Sequence, residues 1–319
     1  MPHVVVAGIL HPSGLALLAD APGVSFDHIE EISEPSYQRC LARADAVILR
    51  TQPMSAASVA MAPRLQIVSR HGVGYDAVDV AALNARAIPL CIVGDVNSVS
   101  VAEHAMMLIL ACAKQLIRAD RAARTGPWVW RNRLEQTEVA GKHLLILGYG
   151  RIGRHLARMA AAFDMQITAF DPYVAAQGWP EGVARPVAAL AEGLAQADFV
   201  SAHLPKPDRP VLGAAELALM KRGTVVINTS RGGIVDEVAL AAALTSGHIA
   251  AAGLDVFETE PPAADHPLLA FDQVILTPHI AGLTREAAER MAIASVQNVL
   301  DHFAGRLDPD LIVNRDALS

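Results

Sequence analysis

The sequence predicts an α/β protein with two domains, each built on a parallel β-sheet. Short runs of apolar and β-branched residues alternate along the chain with segments of helical periodicity, which is typical of parallel strands joined by crossover helices. This alternation occurs before one long apolar helical segment near residue 100, and again after it. A chain of 319 residues is long enough for two domains that each bury a core.

The first set of strands lies in the first hundred residues. Its predicted strands are residues 3–9, 46–50, 65–69 and 88–92. Helical patterns such as residues 77–87 lie between them, which favours a small flavodoxin-like domain. The loop at residues 70–76 follows a strand, so it should lie at the carboxyl edge of the sheet, where open α/β sheets bind ligands.

The long apolar segment at residues 97–114 predicts a helix between the two sets. Ser98 and Ser100 are both candidate N-caps. The pattern continues amphipathically toward Arg124 and breaks at Gly126-Pro127. We expect this helix to connect the two domains.

The second set of strands follows the connecting helix. Its predicted strands are residues 144–147, 199–204, 225–229, 251–256 and 274–277, with helices at residues 187–195, 214–220 and 237–246. A last amphipathic helix, residues 284–303, should carry the chain back to the first domain. We therefore expect one domain from residues 1–97 and 283–319, a second from residues 98–282, and a cleft between them.

Residues 143–171 read as a strand, a glycine-rich turn, an amphipathic helix and a second strand. In the turn, which we call the phosphate turn (residues 148–153), Gly148 allows a sharp change of direction. Gly150 lets the backbone approach a pyrophosphate at the helix N-terminus, and Gly153 lets the helix pack closely on the sheet. This order predicts a Rossmann-like, dinucleotide-binding second domain.

Composition and charge exclude several classes of function. The chain is 52% hydrophobic and 18% charged with a net charge of −7, so we expect no nucleic-acid surface. Its longest apolar run, residues 105–113, is too short to cross a bilayer, and the start MPHVVVAGIL lacks the features of an export signal. Three widely spaced cysteines indicate neither a disulfide framework nor a metal site. They fit a cytoplasmic protein.

Three polar residues follow predicted strands of the second set: Arg231, Glu260 and His279. Carboxyl ends of parallel strands share one edge of a sheet, so these residues should converge near the cofactor. Arg231 can bind a carboxylate with two hydrogen bonds, His279 can deliver a proton, and Glu260 can orient the imidazole. Each residue alone has an ordinary explanation as a surface or loop side chain, but their joint placement favours reduction of a 2-keto acid by a hydride donor.

The chain resembles the D-isomer-specific 2-hydroxyacid dehydrogenases over nearly its whole length. The motifs that carry the resemblance are RHGVGYDAVD (70–79), NSVSVAEHAMMLIL (97–110), LGYGRIG (147–153), DPY (171–173), HLP (203–205), NTSRGGIVDEVAL (228–240), GLDVFETEPP (253–262), TPHIAGLT (277–284) and LIVN (311–314). The resemblance implies that Arg231, Glu260 and His279 are the catalytic set. It also implies that Asp255 binds the nicotinamide carboxamide and that the N–H groups of Val73 and Gly74 hold the substrate carboxylate.

The expected contacts follow from these motifs. Cofactor contacts are expected from Gly148, Tyr149, Gly150, Arg151, Ile152, Gly153, Asp171, Pro172, His203, Leu204, Pro205, Thr229, Ser230, Arg231, Asp255, His279 and Gly282. Substrate contacts are expected from Arg50, His71, Val73, Gly74, Arg231 and His279. Asp171 predicts NAD, because its charge would repel the 2′-phosphate of NADP.

Substrate identity stays open at this point. Arg50 and Arg70 end strands of the first domain and either bind a second anionic group, which favours 3-phosphohydroxypyruvate, or pair with surface acids, which favours hydroxypyruvate or glyoxylate. Glutamate at position 260, where related formate dehydrogenases carry glutamine, argues against formate oxidation.

The resemblance implies a homodimer built on the dinucleotide domain. An NAD-sensing, corepressor-like binding protein of the same fold is the alternative to an enzyme.

Overall fold

The structure is a computed structural model and describes residues 1–318. Contacts between Cα atoms divide the chain into two compact units. The first unit comprises Met1–Asn97 and the described residues from Leu283 onward, and the second comprises Ser98–Gly282. Both are α/β units with parallel sheets, as the alternation of strands and helices predicted.

The first unit begins with five strands and four short helices. The strands are β1 (His3–Ala7), β2 (Ser25–Ile29), β3 (Ala46–Leu49), β4 (Ile67–Arg70) and β5 (Leu90–Cys91). The helices are α1 (Pro12–Ala19), α2 (Glu34–Gln38), α3 (Ala56–Ala60) and α4 (Val80–Asn84). Within the described residues the strand order is β2-β1-β3-β4-β5, the flavodoxin-like arrangement.

The second unit contains seven α-helices and seven strands in the described part of the chain. Its helices are α5 (Ser98–Ala113), α6 (Leu116–Thr125), α7 (Arg151–Ala161), α8 (Pro172–Gln177), α9 (Leu190–Gln196), α10 (Ala214–Leu219) and α11 (Glu237–Thr245). Its strands are β6 (His143–Leu147), β7 (Gln166–Phe170), β8 (Arg185–Pro186), β9 (Phe199–Ala202), β10 (Thr224–Asn228), β11 (Ile249–Leu254) and β12 (Val274–Leu276). A final helix, α12 (Arg285–Phe303), belongs to the first unit.

The sheet of the second unit has the order β12-β11-β10-β9-β6-β7-β8 over the described part of the chain. The order reverses between β6 and β9, so a crevice is expected at the carboxyl ends of these two strands. The phosphate turn follows β6 at this reversal point. The Rossmann-like topology predicted from the glycine pattern is therefore confirmed.

Strand β6, in the interior of this sheet, buries both of its faces. In β6, Leu144 and Ile146 belong to a core shared with α5 and α7, whereas Leu145 and Leu147 belong to a second core on the opposite face. Because both faces are covered by helices, the strand is a continuous apolar run without polar alternation.

Several local predictions were wrong. The helix predicted to run on toward Arg124 breaks at Gln115, which has φ of +48°, and α5 and α6 meet at 57°. Neither Ser98 nor Ser100 is an N-cap, because α5 already includes both. Strands β2 and β8 were missed, since half-buried and exposed residues give them no apolar run.

No single helix of the described residues is long and apolar enough to cross a membrane, although α5 and α6 reach that length together as a bent pair.

Candidate active site

The phosphate turn leaves β6 and leads directly into α7, with Gly150 at the N-cap position. Gly148 has φ of +91°, and a Cβ at this position would lie 2.3 Å from the carbonyl oxygen of His203. A Cβ on Gly153 would lie 2.2 Å from the carbonyl oxygen of Gly148. Side chains are therefore excluded at both positions, and close backbone packing fixes the path of the turn.

Gly150 differs from these two glycines. A Cβ at Gly150 would meet no atom within 4 Å, so there is open space beside the start of α7. Arg151 is exposed, Ile152 packs on the core beneath the helix, and the first turn carries no acidic side chain. The first turn of a helix leaves N–H groups unpaired and favours anions, so this cradle fits the pyrophosphate of a dinucleotide.

Asp171 follows β7 and is the N-cap of α8. Its Oδ1 accepts a hydrogen bond from Val174 N–H at 3.0 Å, and its Oδ2 accepts one from Tyr149 N–H at 2.8 Å. Each carboxylate oxygen keeps room for one further donor, as ribose hydroxyls would require. The Tyr149 ring is buried and stacks on Trp179 with ring centroids 4.8 Å apart, so this ring supports the turn from inside. Pro172 is exposed at the first position of α8.

The HLP motif follows β9 beside the phosphate turn. The ring of His203 forms a hydrogen bond through Nε2 with Ser201 Oγ at 2.9 Å, and burial lowers the pKa of His203 to about 4. His203 is therefore neutral at physiological pH. Leu204 packs against the second core, and Pro205 is exposed. The two inner side chains of the motif thus brace the turn.

A compact turn follows β10 and carries Arg231. Asn228 holds this turn: its Oδ1 accepts hydrogen bonds from Ser230 N–H and Oγ, and its Nδ2 donates to the carbonyl oxygen of Arg231 at 2.8 Å. Arg231 donates from its guanidinium to the carbonyl oxygen of Ser230 at 2.7 Å and is half-buried. Thr229 is buried, and its hydroxyl has no hydrogen-bond partner among the described residues.

The turn with Arg231 packs against the loop that carries Glu260. A Cβ on Gly232 would lie 1.8 Å from the carbonyl oxygen of Phe257, so only glycine permits this approach. Oε1 of Glu260 accepts a hydrogen bond from Phe257 N–H at 3.1 Å. The same loop is tied to α11, because Glu237 accepts hydrogen bonds from Glu258 N–H and from the ring of His266.

Glu260 and His279 form a hydrogen-bonded pair. Oε2 of Glu260 lies 2.7 Å from Nδ1 of His279, and the two side chains are 37% and 52% exposed. His279 has φ of +53°, a conformation that non-glycine residues adopt mainly at special sites. Its N–H donates to the carbonyl oxygen of Asp255 at 2.8 Å. The sequence therefore predicted two partners that the structure brings into contact.

Asp255 lies at the end of β11 and is only 1% exposed. Its Oδ1 accepts hydrogen bonds from Thr277 Oγ1 and from Ile280 N–H, and its Oδ2 accepts one from Ala281 N–H. The carboxylate thus holds the loop with His279, and Gly282 directly follows this loop. Few free positions are left around Asp255 for a carboxamide.

The loop His71–Gly74 of the first unit, which we call the GVG loop, follows β4. His71 is 7% exposed, and its Nε2 has no hydrogen-bond partner among the described residues. Burial, with repulsion from Arg50, lowers the pKa of His71 to about 4. Val73 packs beside α12, and no hydrogen bond from its N–H or that of Gly74 is found within residues 1–318. Two such N–H groups fit an anion.

The two basic residues near this loop differ in their contacts. Arg70 donates from Nε to the carbonyl oxygen of Gly74 at 2.7 Å, and from Nη1 to the carbonyl oxygens of Leu49 and Arg50. Its guanidinium therefore fastens the GVG loop to the end of β3. Arg50 is half-buried, and its backbone oxygen is one of these acceptors.

Sequence reasoning missed several polar residues that hold these loops. His104 of α5 contacts Thr277, and His266 is a half-buried partner of Glu237. Asn228 was quoted only as part of a motif. A single histidine carries no signal of its partner, because Thr277 and Glu237 lie far from His104 and His266 in the sequence. The partners of Asn228, by contrast, are the nearby Ser230 and Arg231. Among residues 1–318, no group of three or more His, Cys, Asp or Glu side chains is arranged to hold a metal ion.

Comparisons with known proteins agree with this geometry. Residues 106–281 match the family model described as D-isomer specific 2-hydroxyacid dehydrogenase, NAD binding domain. The D-3-phosphoglycerate dehydrogenase of Mycobacterium tuberculosis (strain ATCC 25618 / H37Rv) is 40% identical over 319 residues, which cover 98% of this chain and 59% of that relative. This chain therefore spans less than two thirds of the mycobacterial protein.

Two further relatives match over nearly their full lengths. The glyoxylate reductase of Aeropyrum pernix is 37% identical over 330 residues, covering 99% of this chain and 97% of that protein. The crystal structure of the TT0316 protein from Thermus thermophilus superposes with a TM-score of 0.88 at 31% identity, covering 96% of this chain and 98% of that one. The chain thus belongs to the D-isomer specific 2-hydroxyacid dehydrogenase family and contains the family's NAD-binding domain.

Proposed function

We propose that the protein is an NAD-dependent dehydrogenase that interconverts a small 2-keto acid and the corresponding D-2-hydroxy acid. The observation that carries this proposal is the Glu260–His279 pair beside a turn that presents Arg231, in a unit with an intact phosphate turn. A protein that only senses NAD needs the phosphate turn but not a paired carboxylate and imidazole. The paired side chains therefore favour an enzyme.

His279 is the proposed proton donor for reduction. Because Nδ1 of His279 is hydrogen-bonded to Glu260 at 2.7 Å, Nε2 is the ring nitrogen left to exchange a proton with the substrate oxygen. The carboxylate of Glu260 stabilises the imidazolium form that precedes proton delivery. NADH held by the phosphate turn and Asp171 would supply the hydride that the carbonyl carbon accepts. The hydroxy acid is formed when Nε2 delivers its proton to the carbonyl oxygen.

Arg231 is the proposed anchor of the substrate carboxylate and the polarising donor to its carbonyl oxygen. The N–H groups of Val73 and Gly74 are proposed to bind the same carboxylate as a backbone anion site. His71 beside them carries no charge above its pKa of about 4, so the positive charge near this loop comes from Arg50 and Arg70.

The expected cofactor preference is for NAD over NADP. Both oxygens of Asp171 already accept backbone hydrogen bonds, which holds the carboxylate in place where a 2′-phosphate would be repelled. We expect kcat/KM with NADH to exceed that with NADPH by about 100-fold or more. Comparable values of kcat/KM for the two cofactors would contradict this assignment.

Substrate choice rests on Arg50 and Arg70. Arg70 is already bonded to three backbone carbonyl oxygens, so Arg50 is the better candidate to bind the phosphate of 3-phosphohydroxypyruvate. If Arg50 does not bind a phosphate, the small unphosphorylated acids hydroxypyruvate and glyoxylate are the expected substrates.

The decisive experiment is NADH oxidation by the purified protein with 3-phosphohydroxypyruvate, hydroxypyruvate, glyoxylate and pyruvate. We expect turnover with at least one of the first three compounds. Binding of NADH without turnover of any compound would favour an NAD-sensing binding protein. Arg50→Met should raise KM for the phosphorylated compound selectively if Arg50 binds its phosphate.

Two variants test the catalytic assignment. His279→Ala and Arg231→Ala should each lower kcat/KM by about 1,000-fold, with NADH affinity close to that of the wild type. Arg222→Ala is the matched control, because the exposed Arg222 bonds only the carbonyl oxygen of Ser246 among the described residues. Near-normal turnover of both active-site variants would show that the site is misplaced.

The proposed assembly is a homodimer formed through the second unit. Large apolar side chains are exposed on and after α6, namely Leu116, Ile117, Trp128, Val129 and Leu134. Exposed apolar and aromatic groups of this kind are typical of interfaces. Light scattering should give twice the chain mass, and Trp128→Glu should weaken the dimer.

A cytoplasmic location is proposed because all three cysteines are unpaired.

A further inference from the structure

His104 lies on α5, a helix that buries most of its residues against the sheet of the second unit. The register of this helix is set by a close approach: a Cβ on Gly253 of β11 would lie 2.9 Å from Cβ of Leu108. His104 is one turn earlier on the same helix face. It therefore lies toward the carboxyl ends of the strands, where Asp255 and Thr277 follow β11 and β12.

The hydrogen bonds at this point have a defined direction. The hydroxyl of Thr277 has one proton and donates it to Oδ1 of Asp255. The same hydroxyl lies 3.0 Å from Nε2 of His104, so it accepts a hydrogen bond and Nε2 carries a proton. His104 Nε2 also lies 3.7 Å from Oδ1 of Asp255. The chain of donors thus runs from His104 through Thr277 to Asp255.

Asp255 also binds the loop that carries the candidate catalytic residue His279. Its carboxylate accepts hydrogen bonds from Ile280 N–H and Ala281 N–H, and its backbone oxygen accepts one from His279 N–H. His279 is thus bracketed by Thr277 and by residues 280–281, which all bond Asp255. A tilt of this loop would move Nδ1 of His279 away from Glu260.

We propose that His104 is a positioning residue, which orients the catalytic His279 through Thr277 and Asp255 without contacting substrate. The inference rests on the proposed dehydrogenase function for its kinetic consequences, but the conformational part stands without it. Burial lowers the pKa of His104 and outweighs the opposing effect of Asp255, so His104 is neutral at physiological pH. A neutral donor avoids a second buried charge while keeping the Thr277 hydroxyl directed at Asp255.

The first test compares two replacements of His104. His104→Leu removes the donor, whereas His104→Gln keeps an N–H donor at similar reach. We expect His104→Leu to lower kcat by about 10- to 100-fold, because small displacements of a catalytic group have effects of this size. The Kd for NADH should change by less than about 2-fold, and His104→Gln should recover most of the lost kcat. Equal kcat in wild type and His104→Leu would overturn the proposal.

The second test does not depend on turnover. Hydrogen exchange of the Ile280 and Ala281 amides should be at least about 5-fold faster in His104→Leu, while amides of β7 keep wild-type rates. Unchanged exchange at both amides would overturn the proposal. If the wild type reduces no 2-keto acid but these amides exchange faster in the variant, the proposed function fails and the positioning network stands.

A third test asks whether His104 acts through Thr277. Thr277→Val removes the bridging hydroxyl, so adding His104→Leu to it should cost little further kcat. Multiplicative losses in the double variant would contradict transmission through Thr277. Thr277→Ser, which keeps the hydroxyl, should be close to wild type.

Discussion

The phosphate turn and the GVG loop differ in the interactions that fix their backbone conformation. Each follows the carboxyl end of a parallel strand, and each has backbone N–H groups that we propose bind an anion. The phosphate turn is shaped by missing side chains, since a Cβ on Gly148 or Gly153 would overlap a backbone oxygen. The GVG loop is instead held by the side chain of Arg70, which donates hydrogen bonds to the backbone oxygens of Gly74, Leu49 and Arg50.

The two loops should therefore tolerate different substitutions. A glycine turn is sensitive to any added atom at its two crowded positions but needs no distant partner. A loop held by a guanidinium depends on one long side chain and on carbonyl groups from another strand. Substitutions can therefore separate the two designs, and their expected effects on stability decrease from Gly148→Ala to Gly150→Ala.

Gly148→Ala should have the largest effect on stability. Its Cβ would lie 2.3 Å from a backbone oxygen of His203, at a φ of +91° that alanine disfavours. We expect the free energy of unfolding to fall by about 3 kcal/mol, as measured by urea denaturation. A variant as stable as the wild type would show that the turn adapts easily and would remove the contrast with the GVG loop.

Arg70→Met should lower the free energy of unfolding by less than Gly148→Ala does. It keeps much of the apolar stem but removes the hydrogen bonds to three carbonyl oxygens, so unfolding should become easier by about 2 kcal/mol. KM for the keto acid should rise while the Kd for NADH stays constant. Arg50→Met is the matched control for stability, since no hydrogen bond from its own side chain fastens the loop in the described residues. Equal stability of both variants would contradict the role of Arg70.

The pH dependence of stability should reflect His71 in the GVG loop. Its pKa falls from 6.5 to about 4 on folding, so the unfolded chain binds the proton first as pH drops. The contribution of neutral His71 to the free energy of unfolding is complete above about pH 6.5 and is lost progressively as the pH falls toward about 4. Between pH 7 and pH 5 the wild type should lose about 2 kcal/mol more than His71→Gln.

His203 beside the phosphate turn has the same lowered pKa of about 4, so part of the slope will remain in His71→Gln. A pH profile of His71→Gln that is parallel to the wild type would mean that His71 is protonated equally in the folded and unfolded states.

Gly150→Ala should have the smallest effect on folding and is the counterpart of Gly148→Ala. Its Cβ would meet no protein atom within 4 Å, so the unfolding free energy should change by less than about 0.5 kcal/mol. The Kd for NADH should rise by about 10-fold, because the added methyl group occupies space beside the expected pyrophosphate. Unchanged NADH affinity would place the pyrophosphate elsewhere.

Local features of the fold were predictable where interactions are short in sequence. The strand β6, the phosphate turn and α7 are contiguous, and their glycines restrict the backbone directly. The break at Gln115 was not predictable, because the amphipathic pattern runs through it and the last residue of α5, Ala113, accepts a hydrogen bond from Thr137 N–H in a later segment of the chain. Strand β2 was missed for a similar reason, as its pairing with β1 and not its own apolarity makes it a strand.

The candidate site shows the same division. Arg231, Glu260 and His279 were selected from their positions after strands, and the Glu260–His279 contact agrees with that reasoning. The residues that hold them were not selected, because His104 and Thr277 are 173 positions apart. Arg70 was interpreted as a possible anion ligand, but the structure directs it to backbone oxygens of β3 and the GVG loop.

The alternating α/β architecture, the phosphate turn and the three candidate catalytic residues were all predictable from the amino-acid pattern. These depend on periodicity and on backbone freedom, which are properties of neighbouring residues. The partners of the polar side chains follow from packing of the folded chain: Arg70 bonds carbonyl oxygens, His104 bonds Thr277, and Asp255 bonds residues 280–281. Hydrogen bonds between segments distant in sequence require the packed sheet and helices to bring their donors and acceptors within about 3 Å.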